Sequence, residues 1–362
     1  MRATQTAAST IAIRRLYNQA IAGAARRTPA DVVTWLGAVQ AQEYGPATWG
    51  IALRMKAGTA LDEIERAIDA GRILRTHVLR PTWHFVPRDD LQWMLALTAP
   101  RVRARMAPYN RRLEIDARTV VRASAVFERA LGDGAYLTRA ELAQHLARSG
   151  LQASGQRLAH IMLFGELDGV ICSGPRRGKQ FTYALLALRA PRSRELTRDE
   201  ALGTLASRFL RSHGPATASD FVWWSGLLTG DARRSFEIAR ARPETVDGLT
   251  YWSVQQSARD AARDHAVHLL PVYDEYVVAY RDRRAVPHGP ASVRRMAGRP
   301  LAFQHPLIIN GQVAGVWRPG ATGGRLDVAP FAPLRSRDRE ALHEAAARYA
   351  VSVGSPLTVT IR

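Results

Sequence analysis

Cysteine and lysine are almost missing from this sequence: among 362 residues Cys172 is the single cysteine, and Lys56 and Lys179 are the only lysines. One thiol cannot build a disulfide framework or a thiolate metal cluster within one chain. Two lysines leave little choice for chemistry that runs through a Schiff base. No stretch of 18 apolar residues occurs, the longest candidates being broken by Arg, Asp or Pro, so no membrane-spanning helix is expected. Residues Met1 to Thr10 lack a basic segment followed by an apolar one, so no signal peptide is expected and the protein is read as cytoplasmic. A Walker loop, a Gly-x-Gly-x-x-Gly after a strand and a His-Glu-x-x-His are all absent. His265 and His268 lie three apart with only Asp274 as a further ligand nearby, a thin basis for a metal site. Neither a metal nor an organic cofactor is expected.

What is abundant is positive charge. Fifty-one Lys and Arg oppose 32 Asp and Glu, a formal net charge of +19, on a chain that is 46% hydrophobic and so able to fold around a core. The choice of Arg over Lys reads as GC-rich codon usage, but codon bias does not explain the excess over acids. A surplus of this size points to a phosphate backbone or another anionic partner, with a merely soluble basic protein as the alternative.

One pattern recurs three times: two or three short amphipathic helices, then two short strands around a polar turn. In the middle copy a helix over Val120–Leu131 precedes Gly132-Asp133-Gly134, and Thr138 with Glu141 forms a capping box for a helix ending at Gly150. Gln156–Leu167 follows with Leu158, Ile161, Met162 and Leu167 on one face. Val170-Ile171-Cys172 and Phe181–Leu185 then flank the turn Ser173–Lys179. Three helices, a strand, a basic turn and a strand make a winged helix-turn-helix.

The first copy predicts helices over Ile11–Ile21, Pro29–Leu36, Ala47–Lys56 and Leu61–Ala70, with strands Ile73–Val78 and Thr82–Val86. The third predicts helices Arg198–Ser212, Thr217–Ser225 and Thr229–Ala241, then a strand over Leu249–Val254. Asp89 to Arg122 reads as one long helical link. From Val267 the chain is β-rich: His268–Pro271, Leu301–Ile309, an Asn310-Gly311 turn, Val313–Trp317 and Leu357–Ile361, interrupted by one helix, Arg337–Tyr349.

The turn at Arg176-Arg177-Gly178-Lys179 carries three cations on a flexible tip, suited to phosphates without sequence preference; the plain alternative is a solvated turn. Arg101, Arg103, Arg105, Arg111, Arg112, Arg118 and Arg122 could line the same surface or form a solvated helix face beside Glu114 and Asp116. Asp274-Glu275 lies between aromatics and fits a catalytic pair less well than acids that bond local backbone or an Arg. His84, between Trp83 and Phe85, reads as a core or groove-facing histidine rather than a base. Gln40 and Gln42 do not titrate, so neither is a general acid or base.

The segment Gln40-Ala41-Gln42, with Gly45-Pro46-Ala47 and Trp49-Gly50, resembles the catalytic segment of AlkZ-type DNA glycosylases, a bacterial family of winged-helix proteins. So does Leu79-Arg80-Pro81-Thr82-Trp83-His84-Phe85. Gly214–Thr217, Asp220-Phe221, Trp224–Leu227, Leu269–Pro271, Tyr273–Tyr276, Asn310-Gly311 and Gly315–Arg318 follow in the family's order. The sister YcaQ-type branch carries Asp at the second motif position, so Gln42 fits the AlkZ-like branch; Ala41 is a small residue for the apolar middle position.

The resemblance implies Gln40 and Gln42 as catalytic residues, and a monofunctional glycosylase without a lyase step, acting on N7- or N3-alkylated purines. Bulky adducts and interstrand crosslinks are further expected substrates, in self-resistance or in housekeeping repair. The chemistry agrees: an alkylpurine cation is already a good leaving group, so neutral amide oxygens that orient water and face the developing sugar cation suffice. Glycosidases acting on unactivated bonds use carboxylates.

The expected architecture is α+β, with three tandem winged helix-turn-helix units (1–110, 111–195 and 196–265) and a β-rich C-terminal region (266–362), forming a basic concave surface for double-stranded DNA. Arg176, Arg177, Lys179 and His84 are expected to meet the DNA, and the protein is expected to be a monomer. A non-enzymatic DNA-binding regulator is the alternative, although three unlike winged units and no ligand-sensing domain speak against it.

Overall fold

The computed structural model describes residues 7–190, 195–254, 266–286, 300–320 and 324–362. Two compact units emerge: Met1–Glu65 with Gly203–Trp224 and Leu228–Arg362 form the first, and Arg66–Leu202 with Ser225–Leu227 the second. The expected segment 1–110 is thus divided after Glu65, while most of 196–265 joins 266–362 in the first unit. Bonds between remote stretches explain the grouping. Trp49 Nε1 donates to Leu269 O at 2.8 Å, and Arg348 Nη2 donates to Leu53 O and Met55 O at 2.6 and 2.8 Å. Tyr276 Oη, fully buried, lies 2.8 Å from Gly311 O and 3.1 Å from Ala12 O.

The second unit holds the antiparallel hairpin Ile73–Val78 and Arg80–Pro87, turned at Leu79 in the left-handed region (φ 62°). The expected link Asp89–Arg122 is two helices, Leu91–Arg112 and Ala117–Leu131. Glu114 (φ 52°) breaks it, and Asp116 restarts the helix by accepting from Thr119 N at 2.8 Å. Next come Leu137–Thr138, Arg139–Arg148 and Gly155–Leu167, then strands Ile171–Ser173 and Thr182–Leu185. The short strand Leu137–Thr138 pairs with Thr182–Leu185, which lies between it and Ile171–Ser173. The expected capping box is present: Thr138 Oγ1 accepts from Glu141 N, and the Glu141 carboxylate accepts from Thr138 N at 2.6 Å.

In the first unit, helices Ala7–Asn18, Pro29–Leu36 and Tyr44–Ala52 are grouped with the third-copy helices Ala218–Ser225 (through Trp224) and Thr229–Ile238 and the C-terminal half of Arg198–His213, and Arg15 and Asn18 donate to Pro215 O and Gly214 O at 2.9 and 2.7 Å. A hairpin of Arg242–Val246 and Leu249–Ser253 follows, its inner face packing Tyr251, Val246 and Leu249 around Ile11 and Ala285. The β-rich region is a five-stranded sheet in the order Thr358–Ile361, Arg325–Pro330, Gln312–Pro319, His305–Ile309, Val267–Leu269. All its pairs are antiparallel except the one between Arg325–Pro330 and Thr358–Ile361. Asn310 (φ 52°) and Gly311 (φ 77°) make the tight turn expected of that dipeptide. Helix Ser336–Val353 packs against Val267–Leu269. The class is therefore mixed helix and strand, with a β-rich C-terminal sheet.

Two histidines of this sheet make stability depend on pH. Burial pushes His268 down to about 4, helped by Arg348 and Arg54, and burial alone pushes His305 to about 4. His305 Nδ1 accepts from Val272 N at 3.3 Å, a bond that its own protonation would remove. An unfolded histidine takes its proton near 6.5, so between about 6.5 and 4 the unfolded chain binds more protons and stability falls as pH falls. For His268 the loss amounts to about 3 kcal/mol, levelling off below pH 4. Urea midpoints at pH 7 and 4.5 measure it; His268→Gln should flatten the slope, and an unchanged slope would clear His268 of the effect.

Candidate active site

Gln40 closes the two-residue strand Val39–Gln40, and Gln42 lies just before the helix Tyr44–Ala52. The approach is set locally. A capping box of Thr28 and Asp31 starts the helix Pro29–Leu36, and Gly37 (φ 82°) ends it in a conformation that L side chains resist. A Cβ at Gly37 would also stand 3.4 Å from the Trp224 ring. Beyond the turn, Val39 and Ala41 are buried (5% and 0% exposed) while Gln40 and Gln42 are partly exposed. That alternation buries Ala41 as the segment's anchor and leaves both glutamines partly exposed.

Behind the motif lies a set of bonds from far along the chain. Gln40 N donates to Glu275 Oε1 at 2.7 Å. Glu275, 1% exposed, also accepts at Oε2 from Trp224 Nε1 at 3.1 Å, and His213 Nε2 lies 3.4 Å from the same oxygen. Phe209 stacks on His213 with ring centres 5.0 Å apart. Burial pushes the His213 imidazole down from its ordinary value, and its contact with Glu275 works against that.

The neighbouring Asp274 takes the Arg54 guanidinium in a two-pronged pair, both bonds 2.8 Å long, with each side chain 1% exposed. Arg54 further donates to Gln19 O, Gln19 Oε1 and Gly50 O. Gln19 Nε2 donates to Tyr280 Oη, whose proton goes to His213 O at 2.7 Å. Asp274-Glu275 is therefore the acid pair that bonds backbone and Arg. Sequence reasoning had no local signal for Gln19, Arg54, His213 or Trp224 as supports of the motif.

In the second unit, Lys179 is exposed at the tip of its turn, beside Gly178 at φ 60°. Arg177 reaches back to Glu141 Oε1 (2.7 Å) and Tyr136 O (2.6 Å) with half its side chain exposed. The Thr138 N–H and Arg177 hold the Glu141 carboxyl down to about 2. Arg176 lies over the Phe181 ring at 5.6 Å. His84, expected at the DNA surface, is 0% exposed: its Nδ1 faces Thr82 O at 2.9 Å and its Nε2 faces Arg80 Nη2 at 3.3 Å. Of the seven link arginines, Arg105, Arg111, Arg112, Arg118 and Arg122 are exposed, whereas Arg103 pairs with Asp168.

Among the described residues no three of His, Cys, Asp and Glu gather as a metal site, and His265 lies outside the described residues. No described helix is long and apolar enough to cross a membrane.

Two partly exposed glutamines thus flank a buried Ala41, and the backbone of the first is held by a buried acid. The family described as "DNA glycosylase AlkZ-like" matches residues 33–351, and the chain belongs to that family. A Streptomyces sahachiroi protein named "Interstrand DNA cross-link repair glycosylase" is 26% identical over 359 residues, covering 92% of this chain and 94% of that protein. The solved structure of the Streptomyces sahachiroi DNA glycosylase AlkZ superposes with a TM-score of 0.82 at 24% identity, covering 98% of this chain and 99% of that one. The structural superposition speaks for the fold.

Proposed function

We propose that the chain is a monofunctional DNA glycosylase that hydrolyses the N-glycosidic bond of N7- and N3-alkylpurines, with Gln40 and Gln42 as its catalytic residues. The observation that carries this reading is the motif's setting: two partly exposed glutamines with Ala41 buried between them and the Gln40 backbone fixed by Glu275. One amide oxygen orients the attacking water and the other faces the developing oxocarbenium charge. Lys56 and Lys179 are both solvent-exposed, without the apolar pocket that activates an amine nucleophile, which supports the absence of a lyase step. The relative's name extends the proposed substrates to interstrand crosslinks. The test is release of free 7-methylguanine from alkylated duplex DNA, with no strand cleavage until the abasic site is treated with base. Tight duplex binding without release would turn the reading toward a non-enzymatic binder.

The scaffold of this proposal is a set of tandem winged helices. The strand order around Thr182–Leu185 supports it for the middle unit, whose wing carries Arg176, Arg177 and Lys179. Each phosphate contact contributes a slope of about 0.9 in log affinity against log salt. Replacing the three cations by Ala should flatten the slope by about 1 to 3 units. Lys179→Ala alone should account for about one, since Arg177 is already engaged by Glu141. Fluorescence anisotropy across a salt series measures this, and an unchanged slope removes the wing from the interface.

A further inference from the structure

The support behind Gln40 contains a histidine whose protonation can be worked out from its partners. Ser212 Oγ lies 2.7 Å from Arg208 O and 2.8 Å from His213 Nδ1. A hydroxyl has one proton, and a carbonyl can only accept, so the proton goes to Arg208 O. Nδ1 must then be the donor to Ser212 Oγ. The other ring nitrogen, Nε2, is buried with no hydrogen-bond partner among the described residues and faces Glu275 Oε2 at 3.4 Å. With Nδ1 protonated, a neutral ring would aim the Nε2 lone pair at a carboxylate oxygen in a site with no solvent to screen it.

Among the described residues, the charges whose partners can be named are engaged elsewhere. Arg54 is taken by Asp274, Arg15 stands 3.6 Å from Asp220 and over the Tyr280 ring, and Tyr280 Oη is bonded to His213 O. One proton on the line between Nε2 and Oε2 removes the repulsion. It makes either an imidazolium on a carboxylate or a carboxylic acid on an imidazole.

We propose that Glu275 and His213 share one buried proton, and that Glu275 held in this way is the positioning residue for the Gln40–Gln42 segment. The inference rests on the reading of those glutamines as catalytic. The carboxyl grips Gln40 at its backbone N–H, so losing the grip shifts the amide that must sit against water and sugar. Duplex affinity, which comes from phosphate contacts, stays where it is. The proton makes the grip depend on pH: deprotonation sets lone pair against carboxylate and loosens the segment.

The experiment has two arms. Single-turnover release of 7-methylguanine is followed from pH 6 to 9.5 for wild type, Glu275→Gln and His213→Gln, with Gln40→Ala and Gln42→Ala alongside. Ratios of wild type to variant cancel ionisation of the substrate. In Glu275→Gln an amide N–H2 must face the Gln40 or the Trp224 donor, so kcat should fall on the order of 10- to 100-fold with KM within about twofold. The ratio of wild type to His213→Gln, whose amide does not titrate, should decline as pH rises. A purely structural histidine would give a constant ratio. The second arm needs no activity: in wild-type protein with ¹⁵N-labelled histidine, Nδ1 of His213 should be protonated and Nε2 should carry or share a proton at pH 7. A bare Nε2 beside an ionised Glu275 would overturn the inference, as would full kcat in Glu275→Gln with a flat ratio. If Gln40→Ala and Gln42→Ala keep the wild-type rate, the catalytic reading fails and the positioning role falls with it, while the ¹⁵N result still reports on the proton.

Discussion

Gln40→Ala and Gln42→Ala should each slow release of 7-methylguanine by about 10²–10³-fold while duplex affinity stays constant. The size follows from the loss of one preorganised dipole at developing charge, which in acyl-transfer enzymes costs about that much. The direction follows from the leaving group. A cationic alkylpurine departs without a proton, so the barrier left to lower is the alignment of water and the support of the sugar cation. Carboxamides do both without ionising, and rates should therefore show no limb from titration of the motif itself. Undamaged guanine should survive with every variant, because its neutral leaving group needs a proton that neither amide can give. Single-turnover assays with parallel binding measurements decide the matter; two variants at wild-type rate would end the assignment.

The elements that could be read from the sequence are those with their own punctuation. The helix Arg139–Arg148 announces itself through Thr138 and Glu141, and the turn at Asn310-Gly311 through backbone needs that few other residues meet. The strands missed lack such marks or hide them. Arg242–Val246 carries Pro243 and mostly solvated side chains, so alternation is faint, although Asp247-Gly248 (φ 48° and 74°) was a usable turn signal. Arg325–Pro330 buries Asp327 between Leu326 and Val328, which reads as neither alternating nor apolar; Arg325 and Arg362 satisfy that carboxylate. The motif Gln40-Ala41-Gln42 was legible through family resemblance. Its support was not, because the carboxylate that bonds Gln40 N is 235 residues away. Nothing in a local pattern says which acid a backbone amide will meet.

Asp274→Ala should destabilise the first unit by about 3–5 kcal/mol, the cost of leaving one partner of a buried ion pair alone. Arg54 is 1% exposed and would keep its charge with carbonyl and amide oxygens of Gln19 and Gly50 for company but no paired anion among the described residues. The substitution also removes the cap of the short helix Glu275–Val278, since Asp274 Oδ1 accepts from Tyr276 N at 2.9 Å. That helix begins with Glu275, so the rate should drop along with stability, through the grip on Gln40. Adding Arg54→Met to Asp274→Ala takes away the orphaned charge, and the double variant should be more stable than Asp274→Ala alone. A double-mutant cycle in urea, followed by tryptophan fluorescence with 7-methylguanine release in parallel, separates the two contributions. Recovery of stability without recovery of rate would match a charge lock under the site and a cap that aims Glu275. A loss below about 1 kcal/mol for Asp274→Ala would mean that water reaches Arg54, and the pair could no longer be what holds the motif's floor in place.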